Sequence, residues 1–319
     1  MQINLDSKIY IAGHNGMVGS AIFRLLKSKG FVHVIGKSSR ELDLRNQTDV
    51  NNFFKQSNFD VVIDAAARVG GILANSSYPY QFLMDNMLIQ NNLINSSLEN
   101  DVKKFIFLGS SCIYPKYAEQ PLKEESLLTS SLEPTNEWYA IAKISGVKAC
   151  EAIRKQYNKD FISLMPTNLY GTQDNFDLQT SHVMPAMIRK FYEAKINNNA
   201  TVTLWGTGNP LREFLHVDDM ASAVLFAIEN KLPENLYNVG TGVDLTIKDL
   251  ALLIQKTTGH TGEIIWDSDK PDGTPRKLMD ISKLHQLGWR HTIDLENGIK
   301  RTCDWFVNNA DKFKQVKIN

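Results

Sequence analysis

Apolar residues along this chain fall into short unbroken runs, separated by longer segments where they recur every three or four positions. "KIYIAG" (8–13) is one such run and reads as a buried strand. "MVGSAIFRLLKSKG" (17–30) follows with helical spacing, and Gly30 is suited to close it. "FVHVIG" (31–36), "DVVIDAAA" (60–67) and "KFIFLGSS" (104–111) repeat the strand pattern, the last two separated by a long helical stretch near 80–99. "EWYAIAKISGVKACEAIRKQY" (137–157) reads as another helix and "DFISLMP" (160–166) as the strand after it. Strands alternating with helices predict a Rossmann-type α/β fold, a doubly wound parallel sheet covered on both faces. Ligands of such sheets bind beyond the carboxyl ends of the strands.

Past about residue 170 the pattern loosens. "WGTGNPLREF" and "KPDGTPRK" read as loops, and helices near 181–195, 217–230, 246–258 and 293–309 are interspersed with short strands. The expectation is a dinucleotide-binding domain over 1–170 and a smaller α/β substrate lobe over 171–319. No linker divides them, so the boundary is approximate. "YNVGTG" (237–242) is a candidate to return to the main sheet, which would leave the two parts interleaved.

Composition narrows the function. A chain of 319 residues buries roughly three quarters of its unfolded surface and needs no covalent staples. Lysine plus arginine equal aspartate plus glutamate, 35 against 35, which argues against nucleic acid as a partner. Cys112, Cys150 and Cys303 form neither a disulfide framework nor a zinc spacing. Cys150 and Cys303 read as core filling, and His14, His33, His216, His260, His285 and His291 show no metal pairing. "MQINLDSKIYIAG" lacks the pattern of a signal peptide, and no run reaches about 18 apolar residues. A cytoplasmic protein without a membrane span is expected.

"GHNGMVG" sets glycines at 13, 16 and 19 between the first strand and its helix. Gly13 would allow a tight turn, Gly16 would admit a diphosphate, and Gly19 would let helix and strand pack closely. The intervening His14, Asn15, Met17 and Val18 join the candidate cofactor site. The second strand runs into "GKSSR", where an NAD enzyme would carry an acid. Lys37 and Arg40, with the hydroxyls of Ser38 and Ser39, suit a 2′-phosphate and favour NADP(H). The alternative is a solvated basic turn. Asp43, followed by Leu44, comes late for a ribose acid and is expected at the adenine.

"YAIAK" places Tyr139 and Lys143 one helical turn apart. An ammonium near a phenol is expected to lower its usual pKa of about 10. The phenol could then give its proton to a carbonyl oxygen as a hydride reaches the carbon. Ser110, at the end of its strand, could hydrogen-bond the same oxygen.

At this point the chain resembles the extended short-chain dehydrogenases that act on nucleotide sugars. The segments that carry the likeness are "AGHNGMVGSAI", "AARVGGI", "LGSSCIYPK", "EPTNEWYAIAKISG", "MPTNLYG", "SHVMPA", "WGTGNPLREFLHVDDM", "NVGTGVD" and "KPDGTPRKL". They run from residue 10 to about 280. The resemblance implies epimerisation at C3 and C5 of GDP-4-keto-6-deoxy-D-mannose, then reduction of its C4 ketone with NADPH. It gives Cys112 the role of base and His182 that of acid, with His182 also near the cofactor. A thiolate and an imidazole suit proton exchange near neutral pH. Their bland readings are a small buried thiol and a helix-cap neighbour.

The resemblance also places Leu108, Gly109, Ser110, Ser111 and Lys143 against the cofactor, with Pro166, Thr167, Asn168 and Leu169 at its nicotinamide end. Substrate contacts fall on Lys190, Trp205, Arg212, Asp272 and Lys277. Many relatives carry arginine where this chain has Asn15, and another near Ser39; Lys37 and Arg40 are expected to compensate. A homodimer paired through the helices near 80–99 and 138–157 is implied as well. Two other readings stand beside this one. A sibling enzyme would epimerise only C5 of a related GDP-4-keto sugar. A non-catalytic NADP sensor or scaffold would have no need to keep Ser110, Tyr139 and Lys143 together.

Overall fold

The computed structural model describes residues 3–270 and 272–309. In chain order the first part runs β1 (Ile9–Ala12), α1 (Met17–Ser28), β2 (Val34–Ile35), α2 (Gln47–Ser57), β3 (Val61–Asp64), α3 (Ile72–Ser77), α4 (Pro79–Glu99), β4 (Lys104–Leu108), α5 (Glu137–Tyr157), β5 (Asp160–Pro166) and β6 (Asn168–Tyr170). It continues with α6 (Val183–Ile196), β7 (Thr201–Trp205), β8 (Leu211–His216), α7 (Val217–Glu229), β9 (Leu236–Val239), β10 (Asp244–Thr246) and α8 (Ile247–Thr258). The last elements are β11 (Glu263–Asp267), β12 (Arg276–Lys277), α9 (Ser282–Gln286) and α10 (Leu295–Asn308).

Six strands form one parallel sheet in the order β2-β1-β3-β4-β5-β9. Their side chains are buried on both faces, which is why these strands read as solid apolar runs rather than alternating ones. On one face Ile22 and Leu26 of α1 pack with Val224 and Ile228 of α7. On the other, Phe54 of α2, Leu93 of α4 and Val147 of α5 cover Phe105 and Phe107 of β4. The result is the expected doubly wound Rossmann-type sheet. β9 comes from "YNVGTG" and pairs with β5, so the main sheet draws on both halves of the chain.

A second core gathers Phe191 of α6, Ile254 of α8 and Phe306 of α10 around Phe214 of β8. Here β8 lies between β10 and β12 and also pairs with β6, while β7 and β11 form a separate parallel pair. Two loop expectations are corrected. Leu211–His216 in "WGTGNPLREFLH" is a central strand, and Arg276–Lys277 in "KPDGTPRK" pairs with it; Pro271 of that segment lies outside the described residues. Short polar strands acquire their order from partners distant in sequence, so no local period announces them.

The expected second strand also shrinks, to Val34–Ile35. It is the sheet edge, and Val32 before it is half exposed. Helix α2 was not anticipated; Asn46 caps it by accepting the N–H groups of Thr48 and Asp49. Glu213 holds the two layers together. It is fully buried, and its carboxylate accepts the N–H of Gly242 at 2.8 Å and of Met279 at 2.9 Å. Among the described residues no helix is long and apolar enough to cross a membrane.

Candidate active site

The site grows from the carboxyl ends of β1, β4 and β5. After β1 the chain turns at Gly13, with φ +76°, a conformation that glycine adopts freely. A Cβ on Gly13 would lie 2.7 Å from the Ala65 carbonyl oxygen, and one on Gly19 would lie 2.2 Å from that of Gly13. The turn is therefore a cradle that side chains would fill. Gly16 caps α1, whose first turn carries no acid, so the helix end favours an anion. Met17 and Val18 pack on the core behind it, and Asn15 is exposed. His14 lies against Gly36, and its ring centre is 6.2 Å from that of Phe23.

The loop after β2 departs from the sequence expectation. Glu41 folds back onto it, accepting the Ser38 N–H at 2.8 Å and the Ser38 hydroxyl at 2.7 Å, with the Lys37 ammonium at 3.4 Å. The Ser38 hydrogen bonds, with Lys37 beside them, hold the Glu41 carboxyl at about 2. Lys37 thus already has a carboxylate neighbour, and Arg40 and Ser39 are the exposed members of the loop. Asp43 is gripped by Arg45, at 3.0 Å to Nε and 2.9 Å to Nη2, and Leu44 gives its carbonyl to Asn92 at 2.9 Å. The sequence reading missed Glu41 because it counted the cations of "GKSSRE" and not the acid four residues after Lys37.

Past β4 the chain makes a short 3₁₀ turn, Ser111–Ile113, with Ser110 as its cap. Ser110 Oγ accepts the Cys112 N–H at 3.4 Å. The turn places the Ser110 hydroxyl and the Cys112 thiol in one neighbourhood. Leu108 and Gly109 precede it, with the Gly109 N–H donating to Leu164 of β5. Lys143 is almost fully buried on α5 and donates to the Leu108 carbonyl at 2.8 Å. Its ammonium stands 5.9 Å from the centre of the Tyr139 ring.

The electrostatics correct the expected state of Tyr139. In the ligand-free chain burial pushes the phenol well above its ordinary value, and the negative charges available to Cys112 and Asp64 push the same way. Tyr139 therefore holds its proton, as a donor must. Burial likewise pushes the Cys112 thiol up, against the opposing pull of Lys277, Ser110 and Lys143. His182 is the N-cap residue of α6 and is exposed. The protein wall around it, with the Lys277 charge, lowers its pKa. The thiol and the imidazole thus begin as neutral groups, not as the ready thiolate expected from the sequence. The Lys277 charge acts on both groups.

At the end of β5, Thr167 and Asn168 spend their side chains on the Glu213 carbonyl, at 3.2 and 2.7 Å. Pro166 and Leu169 flank them in β5 and β6. The remaining candidates come from the second core. Lys277 and Arg212 are register partners on β12 and β8. Asp272 binds Thr207 through its N–H and hydroxyl, each at 2.7 Å, and so shapes the turn after Trp205 rather than standing free. Trp205 is 56 % exposed, with Lys270 at 5.6 Å from its ring. Lys190, two turns into α6 from His182, donates to Thr203 at 2.8 Å. Asp64, fully buried at the end of β3, belongs to the catalytic neighbourhood and was overlooked, since a lone acid in "VVIDAAA" carries no motif. Among the described residues no cluster of three His, Cys, Asp or Glu could hold a metal ion.

The chain is similar to known proteins. The chain is 54 % identical to GDP-L-fucose synthase 1 of Arabidopsis thaliana over 305 residues, 96 % of this chain and 94 % of that one. It is 51 % identical to GDP-L-fucose synthase of Escherichia coli strain K12, over 96 % of this chain and 98 % of that one. A solved structure of a GDP-L-fucose synthetase from Naegleria fowleri bound to NADP superposes with a TM-score of 0.90 at 27 % identity, covering 99 % of this chain and 98 % of that one. Residues 9–240, from β1 through the last strand of the main sheet, match a single family pattern. With its glycine turn, its strand-end serine and its Tyr139–Lys143 helix, the chain belongs to the NAD dependent epimerase/dehydratase family.

Proposed function

We propose that this chain is an NADPH-dependent epimerase/reductase that converts GDP-4-keto-6-deoxy-D-mannose into GDP-L-fucose. It inverts C3 and C5, then reduces the C4 ketone. The observation that carries this reading is the turn after β4, which sets a hydroxyl and a thiol two residues apart beside the Tyr139–Lys143 helix. One pocket thus offers both a proton exchanger and a ketone reductase. The names and near-complete coverage of the relatives support it.

The residues present fit a bound NADP(H). Gly13, Gly16 and Gly19 leave the space a diphosphate needs at the start of α1, and Ser39 and Arg40 are open toward the ribose side. The dinucleotide, when bound, supplies the hydride. Ser110 and Tyr139 hold the C4 oxygen of the substrate. During epimerisation their hydrogen bonds stabilise the enolate, which makes the neighbouring C–H protons acidic enough to remove. Cys112 takes such a proton once its thiol has given its own to solvent, and Lys277 and Lys143 stabilise the resulting thiolate. His182, first protonated from solvent, returns a proton on the opposite face and is neutral again. In the reduction Tyr139 gives its proton to the C4 oxygen, and Lys143 offsets the charge left on the phenolate. Arg212 and Lys190 serve the diphosphate, and Trp205 offers its open indole to the base or the sugar.

We further assign the chain to the cytoplasm, in keeping with its three free, buried cysteines. A homodimer paired through α4 and α5 completes the reading. Of the apolar residues of "FLMDNMLIQNNLI", Phe82, Leu93 and Ile94 are buried within the chain and Ile89 packs against its core. Leu88, Trp138 and Ile141 remain exposed for a partner.

The test is NMR identification of the product formed from GDP-4-keto-6-deoxy-D-mannose and NADPH. GDP-L-fucose is expected. Reduction without inversion removes the epimerase half, inversion at C5 alone points to the sibling reaction, and a flat NADPH trace makes the chain a binding protein.

A further inference from the structure

Asp64 ends β3 with no solvent exposure. Its Oδ1 accepts the Ala66 N–H at 3.1 Å, and its buried Oδ2 has no hydrogen-bond partner. An ionised carboxylate so placed is costly unless a nearby charge balances it. The register sets Asp64 beside Phe107 of β4, and the Lys143 ammonium stands 4.7 Å from the centre of the Phe107 ring. Lys143 is itself only 3 % exposed, and its hydrogen bond goes to a neutral carbonyl. A buried acid on the strand next to Phe107 and a buried base over the Phe107 ring thus share one neighbourhood, each lacking a charged hydrogen-bond partner.

We propose that Asp64 is a positioning residue for ketone reduction, its carboxylate holding the proton on Lys143 and so keeping Lys143 able to offset the charge left on Tyr139. This rests on the reading of Tyr139 and Lys143 given above. It adds a residue that acts through Lys143 rather than on the substrate.

The groups that face this pair come from several elements. Tyr10 on β1 and Tyr139 and Cys150 on α5 feel the Asp64 charge, and Cys112 on the turn after β4 faces Lys143. Burial lowers Lys143, and Asp64 is the first of the two groups that raise it again. Burial raises Asp64 to about 6, and Lys143 opposes that rise. Removing the Asp64 charge therefore weakens proton binding at Lys143 and at Tyr139 alike. Both changes move the alkaline limb of the reduction toward lower pH.

The experiment follows the Lys143 resonance in ligand-free chain labelled with ¹³C at lysine Cε, assigned by its loss in Lys143→Arg. Asp64→Asn keeps an oxygen for the Ala66 N–H and removes the charge. The expected result is a Lys143 midpoint lower by about one pH unit or more, a tenfold loss of proton affinity, with the alkaline limb of NADPH oxidation moving the same way. An unmoved midpoint overturns the proposal, because a merely structural residue would alter stability and not this titration. If Asp64→Asn does not fold, the unsubstituted chain decides. Its Lys143 resonance should show a second inflection near pH 6 as Asp64 titrates, and a trace without one overturns the proposal. A chain that never oxidises NADPH would overturn the reading of function, while the midpoint comparison would still judge Asp64.

Discussion

Cys112 and Tyr139 occupy one pocket but serve different steps, and single substitutions should separate them. Cys112→Ser removes the only proposed base while leaving Ser110, Tyr139 and Lys143 in place. Uptake of solvent deuterium at C3 and C5 should fall by about 10²–10⁴-fold, with hydride transfer surviving better. Tyr139→Phe should do the reverse, losing NADPH oxidation while exchange continues, slowed by the loss of one hydrogen bond to the enolate oxygen. Mass spectrometry of the recovered sugar beside NADPH absorbance reads both; equal losses in the two variants would end this division of labour. A second residue tests burial alone. Asp174 is 6 % exposed, its Oδ2 is unpartnered, and burial pushes it up to about 7, eased only by the Asn175 N–H at 2.7 Å. The folded chain therefore binds this proton more tightly than the unfolded chain, whose value is near 4. The stability this gives is full below about pH 4 and is lost as pH rises through about 7. Asp174→Asn should thus stabilise the ligand-free chain at pH 8, by up to about 4 kcal/mol, and give no such gain at pH 4. Urea melts at the two pH values check this, and a gain independent of pH would show that charge is not the cause.

Among the elements, the β1–α1 turn leaves least room. Ala at position 19 would push its Cβ against the Gly13 carbonyl, a backbone atom that can yield only if the turn opens. Gly19→Ala should weaken NADPH binding at least about tenfold in a fluorescence titration, by displacing the helix end that receives the diphosphate. Affinity within twofold of the parent would mean that the phosphates sit elsewhere. The long elements were legible. α5 and β5 occupy the residues that their periodicity and apolar runs marked, 137–157 and 160–166. Gly146 on α5 shows why the helix lies so near the sheet, since any Cβ there would meet the Phe107 ring at 2.5 Å. β8 and β12 were not legible. LREFLH neither alternates nor runs apolar, because Glu213 is buried there to bind backbone amides from two distant loops.

For the whole molecule the open exposed residues on α4 and α5 set the expectation. Light scattering should give twice the chain mass at micromolar concentration. Leu88→Lys combined with Ile141→Lys, both on exposed side chains, should yield a folded monomer. A dimer that survives the pair must use another face. The sequence by itself marked the alternating strands and helices of the doubly wound sheet, the glycine turn and the Tyr139–Lys143 spacing, because each is a pattern carried within single strands, turns or helices. Tertiary structure alone decided the rest. β9 crossed into the main sheet, and Lys277 came to act on both Cys112 and His182. Asp64 and Lys143 met from strands and helices far apart in the chain. Charges act through space and burial is set by packing, so the protonation states of this site are properties of the fold and of no local stretch of sequence.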